Sequence, residues 1–570
     1  MKTNMKSILT KSENFNQEYC ATVVRIGEIT PIEGSDFLGK VIIEGQSVVV
    51  RKDSIKTGEV MIYAANETVL NHDFLRVNNE FDISERARND NYEEVDKIMQ
   101  RRDAKRLELK KLQRELAEQT KVLNLILKEG AAKDELDEAT KRHINVLENK
   151  ITELNNAITL RDTQIAEAEA EAKSKVGFFN KHGRVKMITL RKCPSFGYLI
   201  KIENLAKAFP QVNDIDWETI ADGPVEERDF DMIDETLFIK VYVPYVPPVQ
   251  ERKTGEKKRN NKLKKFDRMI PGQFSFHYDT APLNKNMHRI KPDDVVTISL
   301  KIHGTSAIMA NVKVRVPKKF HTGWTWLDEK LNKIHEKYIP IKWQWCTEEY
   351  GNVYSSRTVI KNQFINQEVS SGFYKVDVWN EYNELMKDFI PQGMTIYGEI
   401  FGYLTDSPKM IQKNFDYGCE PGTNKLMIYR ISTEEADGTH REWNVQEVYD
   451  WTIKLIEEHP EIKHKIHPID IFYHGKLTDL YPNISVEDHW HANVLEAMKI
   501  EDKFQMEQFE PLCKIKVPRE GVVIRIDDDP TNEAFKLKCA KFLAHESKSM
   551  DKGEVDMEMV QGYAQEEQAE

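Results

Sequence analysis

Leu300-Lys301-Ile302-His303-Gly304-Thr305-Ser306 lies between two apolar runs, Val295-Val296-Thr297-Ile298 before it and Ala307-Ile308-Met309-Ala310-Asn311-Val312 after it. Strand-like runs joined at a glycine predict strand, tight turn, strand. Lys301 then falls at a strand end, facing a cleft beside a turn whose backbone a phosphate can approach. A lysine that acts as a nucleophile needs a depressed pKa, from burial or from a cationic neighbour such as a metal. Lys-x-x-Gly alone fits a surface lysine beside a turn equally well. Residues further along the chain decide between the two.

Four later stretches supply what a phosphate-handling lysine requires. In Tyr350-Gly351-Asn352-Val353-Tyr354-Ser355-Ser356-Arg357-Thr358, Arg357 offers a guanidinium that holds a phosphate in a fork. In Met394-Thr395-Ile396-Tyr397-Gly398-Glu399-Ile400-Phe401-Gly402, a carboxylate sits in an apolar strand between glycines and must find a partner or a ligand. Val517-Pro518-Arg519-Glu520-Gly521-Val522-Val523-Ile524-Arg525 brings a second carboxylate just before a buried strand. A ribose hydroxyl or a hydrated metal would serve Glu399. Magnesium bound beside substrate phosphates uses one or two carboxylates, so Glu399 and Glu520 are the metal candidates. Phe535-Lys536-Leu537-Lys538 aims two lysines at one face of a strand. Two cations there would neutralise phosphate charge and depress the pKa of Lys301.

The chain has 570 residues, 40% hydrophobic and 31% charged, a globular composition with room for about three to four domains. No stretch reaches the roughly 18 apolar residues of a membrane helix, and Met1-Lys2-Thr3-Asn4 leads into no apolar signal region. The six cysteines are dispersed without a CxxC pair, which argues against structural zinc and fits a reducing, cytoplasmic compartment. A net charge of −12 excludes a histone-like wrapper but leaves room for a local basic patch.

Residues 19–75 read as short strands with glycine turns, including one at Glu44-Gly45, and break off near Glu80 before a sheet is complete. Residues 84–176 differ in kind, with no proline and a dense content of Glu, Lys, Ala and Leu. Apolar residues recur in heptads at Val95, Ile98, Leu109, Leu112, Leu116, Leu123 and Ile126, with lapses at Arg102, Lys105 and Gln119. After Gly130 they resume at Ile144, Leu147, Ile151, Leu154, Ile158 and Ile165. Two seams divided by a break predict an antiparallel helical hairpin, each arm of roughly 40 residues spanning about 60 Å. Such an arm serves either as a solvated spacer or as a contact for a protein or nucleic acid. Strand character returns from Gly183 to Arg191, so the hairpin interrupts one β domain made of residues 1–83 and 177–245. A basic linker, 246–290, follows the stiff Val243-Pro244-Tyr245-Val246-Pro247-Pro248. Its Lys257, Lys258, Arg259, Lys264 and Lys265 are candidates for phosphate-backbone contact. A mixed α/β domain spans 291–549, and 550–570 is an acidic, polar tail expected to be disordered.

The ordered set Lys301-Ile302-His303-Gly304, Ser356-Arg357, Gly398-Glu399-Ile400-Phe401-Gly402, Glu520-Gly521-Val522-Val523 and Lys536-Leu537-Lys538 resembles the covalent nucleotidyltransferase superfamily. The His and Thr after the lysine and the Lys-x-Lys end resemble its RNA ligase 2 branch. Three further features resemble the Deinococcus-type RNA ligase with its N-terminal OB-fold module. These are the β domain, Pro271-Gly272-Gln273-Phe274 to His277-Tyr278-Asp279-Thr280, and Phe542-Leu543-x-x-Glu546-Ser547. The hairpin is absent from that family pattern. The fold implied is α+β: an OB-like β-barrel interrupted by the hairpin, then an α/β nucleotidyltransferase domain resembling ATP-grasp ligases.

By the same resemblance, Lys301 takes AMP from ATP with Mg²⁺ or Mn²⁺ and passes it to a 5′-phosphate, and a 3′-OH then seals the strand. Lys301 and Lys538 would be catalytic. His303, Gly304, Arg357, Glu399, Tyr429, Glu520, Lys536 and Lys538 would hold the nucleotide. The implied substrate is nicked or broken RNA, including an RNA/DNA hybrid duplex, with no membrane partner and a protein partner open for the arm. The rival readings are a DNA ligase, an mRNA-capping guanylyltransferase, and a non-catalytic nucleic-acid-binding scaffold.

Overall fold

The computed structural model describes residues 8–131, 137–244, 266–277, 280–338, 346–365, 376–435, 437–487, 489–501, 503–506, 508–527, 529 and 533–553. It is a mixed α and β protein that divides into two compact units. The first comprises Met1–Val41, Val48–Arg191 and Phe196–Tyr242; the second comprises Ile42–Ser47, Lys192–Ser195 and Val243–Glu570. No helix among the described residues is long and apolar enough to cross a membrane.

In the first unit, strands β1 (Ala21–Arg25), β2 (Val60–Ala64), β3 (Thr68–Leu70), β4 (Arg184–Val185), β5 (Tyr198–Lys201), β6 (Asp229–Phe230) and β7 (Ile239–Val241) come from both sides of a long helical insertion. An antiparallel sheet runs β5-β2-β1-β6, and a smaller one runs β7-β3-β4. All five residues of β2 are buried, as its Val-Met-Ile-Tyr-Ala sequence requires of a strand covered on both faces. Residues 21–81 and 179–239 share one apolar core, including Ile62, Phe74, Phe81, Phe179, Phe230 and Phe238. The strands are thus completed only after the insertion.

The insertion is a hairpin of two long helices, α1 (Tyr92–Ala131) and α2 (Glu138–Ser174). Its two ends are tied together where it leaves the sheets. The Gly177 N–H donates to Asn79 O at 2.8 Å, Phe179 N–H to Glu80 O at 3.0 Å, and Asp82 N–H to Phe179 O at 2.8 Å. Only glycine fits at 177, because a Cβ would lie 2.3 Å from Glu80 O. Val95, Ile98 and Met99 of α1 pack on Ala172 of α2 in a small core at this base. Further out, Leu109, Leu112, Leu116, Leu123 and Ile126 are half-buried against α2, whose Ile144, Leu147, Leu154 and Ile165 are buried. The polar lapses in the seam are also half-buried and carry ion pairs, Arg102 with Asp103 and Glu169, and Lys105 with Glu108.

The second unit is built on two sheets. The first contains β8 (Ala281–Pro282), β9 (Val295–Lys301), β10 (Ile471–Lys476), β11 (Gly521–Ile526) and β12 (Ala534–Lys538), in the order β8-β12-β11-β9-β10. The second is centred on β13 (Thr305–Pro317), β14 (Cys346–Ser355), β15 (Met394–Gly402) and β16 (Asn424–Glu434), in the order β14-β13-β15-β16. Val296, Ile298 and Leu300 of β9 belong to one core, and Ala307 and Met309 of β13 to another.

The apolar runs on either side of Lys301 form two strands joined by a short connection, as their sequence predicts, but they do not pair with each other. Strand β9 ends at Lys301 in one sheet and β13 begins at Thr305 in the other, with Ile302-His303-Gly304 crossing between them. Gly304 serves close approach here, not a left-handed turn: a Cβ would stand 2.3 Å from Ile400 O and 2.9 Å from Glu399 Cγ. Residues 266–277 and 280–290, part of the stretch read as linker, hold structure of this unit. Phe266–Asp267 pairs antiparallel with Phe364–Ile365, β8 pairs parallel with β12, and a short helix runs Leu283–Asn286. The helix Ala540–Asp551 likewise carries structure into the start of the stretch read as tail. The tail from residue 554 onward lies outside the described residues.

Candidate active site

The strand registers set the site. On β9 and β11, Lys301 pairs with Gly521; on β11 and β12, Gly521 pairs with Lys538. Lys301 and Lys538 therefore occupy one level of the sheet, two strands apart, and Glu520 immediately precedes the shared glycine. Lys301 Nζ lies 2.8 Å from Glu520 Oε1. The Glu520 side chain is 3% exposed and that of Lys301 is 24% exposed, so the carboxylate is the more deeply buried of the two. The second oxygen, Glu520 Oε2, is buried without a hydrogen-bond partner.

Glu399 approaches from the other sheet. It sits on β15 opposite Ser306 of β13 and Met427 of β16, and its Oε1 accepts from the Gly304 N–H at 3.0 Å. The crossing between sheets thus places Lys301 and Glu399 on the lining of one cleft. Leu300, Ile302, Met427, Tyr429, Ile469 and Val523 give the cleft apolar walls, and His277 and Arg525 are polar members of its lining.

The electrostatics differ from the depressed lysine that the sequence predicts. Burial pushes Lys301 down, and Lys538 acts in the same direction. The carboxylates of Glu520 and Glu399 outweigh them and hold Lys301 above its ordinary pKa. The sequence places both lysines, but the net sign comes from carboxylates on β15 and beside β11 that only the fold brings near. His277 is driven well below its ordinary pKa by burial, then by Arg430, Arg357, Arg525 and Lys301. Arg525 is pushed down to about 10 by burial and by Arg430. Its Nη1 donates to Tyr429 O at 3.1 Å, fixing the strand that presents Tyr429.

The remaining sequence-derived residues have definite places. The His303 backbone N–H donates to the Tyr417 hydroxyl at 2.8 Å, and its ring packs edge-on against Phe415 and Phe542. Its Nδ1 is 3.9 Å from Glu520 Oε2, beyond hydrogen-bond reach. Lys538 Nζ lies 3.5 Å from Glu546 Oε2 and over the Phe542 ring. That contact connects the late Phe542…Glu546 stretch to the site. Lys536 pairs with Val523 across β11 and β12. Arg357 follows β14, is half-buried and acts on His277. On β16, Leu426 is buried in the sheet core while Tyr429 lines the cleft. Lys257, Lys258, Arg259, Lys264 and Lys265 lie outside the described residues.

Sequence reasoning did not assign His277, Arg525 or Tyr417 to the site. For Arg525 the available signal was its place on the strand that follows Glu520; for His277 it was the segment before β8.

Among the described residues, no group of three or more His, Cys, Asp or Glu side chains is arranged to hold a metal. This disfavours a cage made wholly of such side chains in those residues. The unpaired Glu520 Oε2, with Glu399 on the same cleft as its lysine, does fit a hard cation that takes most of its ligands from phosphates and water. Leaving a buried carboxylate oxygen unpaired costs free energy that such an ion would recover.

No protein-family model matches the chain, and no curated protein matches it. Among solved structures, it is similar to Naegleria gruberi RNA ligase with PPi, at 13% identity and a TM-score of 0.43, covering 93% of this chain and 99% of that one. A mutant of that ligase with ATP and Mn gives 13% identity and a TM-score of 0.44, covering 92% of this chain and 98% of that one. Another mutant with AMP and Mn gives 12% identity and a TM-score of 0.43, covering 92% of this chain and 98% of that one. At TM-scores below 0.5 these likenesses carry no weight beside the geometry of the cleft.

Proposed function

We propose that this chain is an ATP-dependent RNA ligase that works through a lysyl-AMP intermediate at Lys301. The observation that carries the reading is the Lys301–Glu520 pair: an amine on the lining of a cleft, 2.8 Å from a buried carboxylate whose other oxygen has no hydrogen-bond partner. Glu399 on the same cleft and Lys538 at the same level of the sheet complete a set that the sequence carries as separate motifs.

In this reading Lys301 Nζ loses a proton to water and attacks the α-phosphorus of ATP. A P–N bond forms, and the P–O bond to pyrophosphate breaks. Lys538, with Lys536 and Arg357, offsets charge on the phosphates as it shifts to the leaving group. The 5′-phosphate of an RNA end then attacks the lysyl-AMP, breaking the P–N bond and returning a proton to Nζ. A 3′-OH finally attacks that 5′-phosphate, AMP leaves, and the strand is sealed. Mg²⁺ or Mn²⁺, held by Glu399 and Glu520, would supply positive charge beside the phosphates and offset the two carboxylates that keep Lys301 protonated. Tyr429 and the apolar wall would take the base.

The catalytic domain in this reading spans 291–549 together with β8. The first unit and the basic run with Lys257, Lys258, Arg259, Lys264 and Lys265 would hold RNA by its phosphates. The test is sealing of a nicked RNA duplex with ATP and Mg²⁺. Sealing of nicked RNA with ATP is expected. Activity confined to nicked DNA, or to GTP with transfer to an RNA cap, would replace this reading by one of its superfamily rivals.

A further inference from the structure

His277 stands in the cleft without a role in the ligation chemistry. Its Nδ1 is buried and has no hydrogen-bond partner, which is costly for a polar ring nitrogen. Its ring meets the edge of Tyr429 at 5.5 Å between centroids and lies 6.2 Å from Tyr397. Its cationic neighbours are engaged elsewhere: Arg430 Nε donates to Glu442 at 2.9 Å and its guanidinium lies over Tyr397, while Arg525 donates to Tyr429 O. Burial first, and then these positive groups, favour the neutral imidazole, with one N–H and one lone pair. In the tautomer that carries its proton on Nε2, Nδ1 is the acceptor. The cleft thus offers an unsatisfied acceptor beside an apolar wall of Met427, Tyr429 and Ile469. A flat, apolar-faced ligand with an N–H on its edge satisfies both.

We infer that His277 is a specificity-determining residue that reads the nucleobase, its Nδ1 accepting a hydrogen bond from the exocyclic amine of adenine. The inference rests on the cleft being the ATP site and adds the group that selects the base. A site with a buried acceptor discriminates against an analogue that leaves it unpaired, because the penalty falls on the protein as well as on the lost contact.

The test is equilibrium binding by calorimetry on the full chain carrying Lys301→Ala, so that no adduct consumes the nucleotide. The ligands are ATP, purine riboside triphosphate, which lacks the amine, and 7-deaza-ATP, which lacks N7. Removing the amine should weaken binding about tenfold, the size of one buried hydrogen bond. Removing N7 should not weaken it. In His277→Phe, ATP should bind about as weakly as the amine-less analogue, and the two should no longer differ. Should His277→Phe fail to fold, the smaller apolar His277→Leu replaces it, with the same loss of preference between ATP and the amine-less analogue expected. Equal affinity for ATP and the amine-less analogue overturns the inference while leaving the ATP site intact, as does a penalty that survives His277→Phe. Binding of none of the three overturns the ATP reading itself.

Discussion

Lys301 and Lys538 face one another across Gly521, each paired with it in register on neighbouring strands. Two lysines at one level of a sheet would repel each other, and here each has a carboxylate, Glu520 for Lys301 and Glu546 for Lys538. The arrangement keeps positive charge concentrated at one end of the cleft without leaving it uncompensated. It suits a site that must receive phosphates and then release pyrophosphate.

Replacing Lys538 by alanine should therefore slow formation of the lysine adduct by about 10²-fold or more, the cost of losing one preorganised charge at a transition state. The loss should appear in the single-turnover rate at saturating ATP. A merely structural Lys538 would instead lower the melting temperature and leave that rate within a fewfold of wild type.

Glu80, at the base of the hairpin, gives a prediction about pH. Its carboxyl is raised above the ordinary 4.5 by burial, against the opposing hydrogen bond from Tyr198 and the charge of Lys207. With the folded pKa above the unfolded one, Glu80 contributes most stability below about pH 4.5, and that contribution is lost as pH rises through the folded value. Glu80→Gln keeps an acceptor for Tyr198 without the charge. Its melting temperature relative to wild type should be higher at pH 7 than at pH 4. An identical difference at both pH values would mean that Glu80 is not perturbed.

The hairpin should be dispensable beyond its base. Val95, Ile98, Met99 and Ala172 bury together, and Arg86 pairs with Asp96, so a cut close to the sheet would expose apolar surface. Replacing residues 103–165 with a short Gly/Ser linker keeps these contacts and the Gly177 N–H bond to Asn79. The shortened chain should fold cooperatively and still form the adduct at Lys301. An insoluble product or loss of the adduct would show that the distal arm is structural.

Much of the site was legible because each part sits on a strand with its own local signature. Glu399 stands out as a carboxylate in Tyr397-Gly398-Glu399-Ile400-Phe401, and Lys536 and Lys538 declare their common face by alternation. The helices were legible because a two-helix seam repeats every seven residues, and even its lapses at Arg102 and Lys105 lie on it. The path after Lys301 was not legible. Two apolar strands flanking Ile302-His303-Gly304 look alike whether they pair with each other or belong to separate sheets; that choice is made by Gly521 and Ile400, far along the chain. The charge state of Lys301 was hidden for the same reason. Strands of two residues, such as Phe266–Asp267 and β8, are too short to carry any period. His277 lies in a segment that the resemblance singles out, but its place on the cleft was hidden because its neighbours, Tyr429, Arg430 and Arg525, arrive from β16 and β11.

The central claim is that Lys301 becomes covalently bonded to AMP. The direct measurement is incubation of the full chain with α-labelled ATP and Mg²⁺, followed by denaturing electrophoresis. Label should remain on the wild-type chain, should be released by added pyrophosphate, and should be absent from Lys301→Ala. Label retained undiminished by Lys301→Ala would contradict the account.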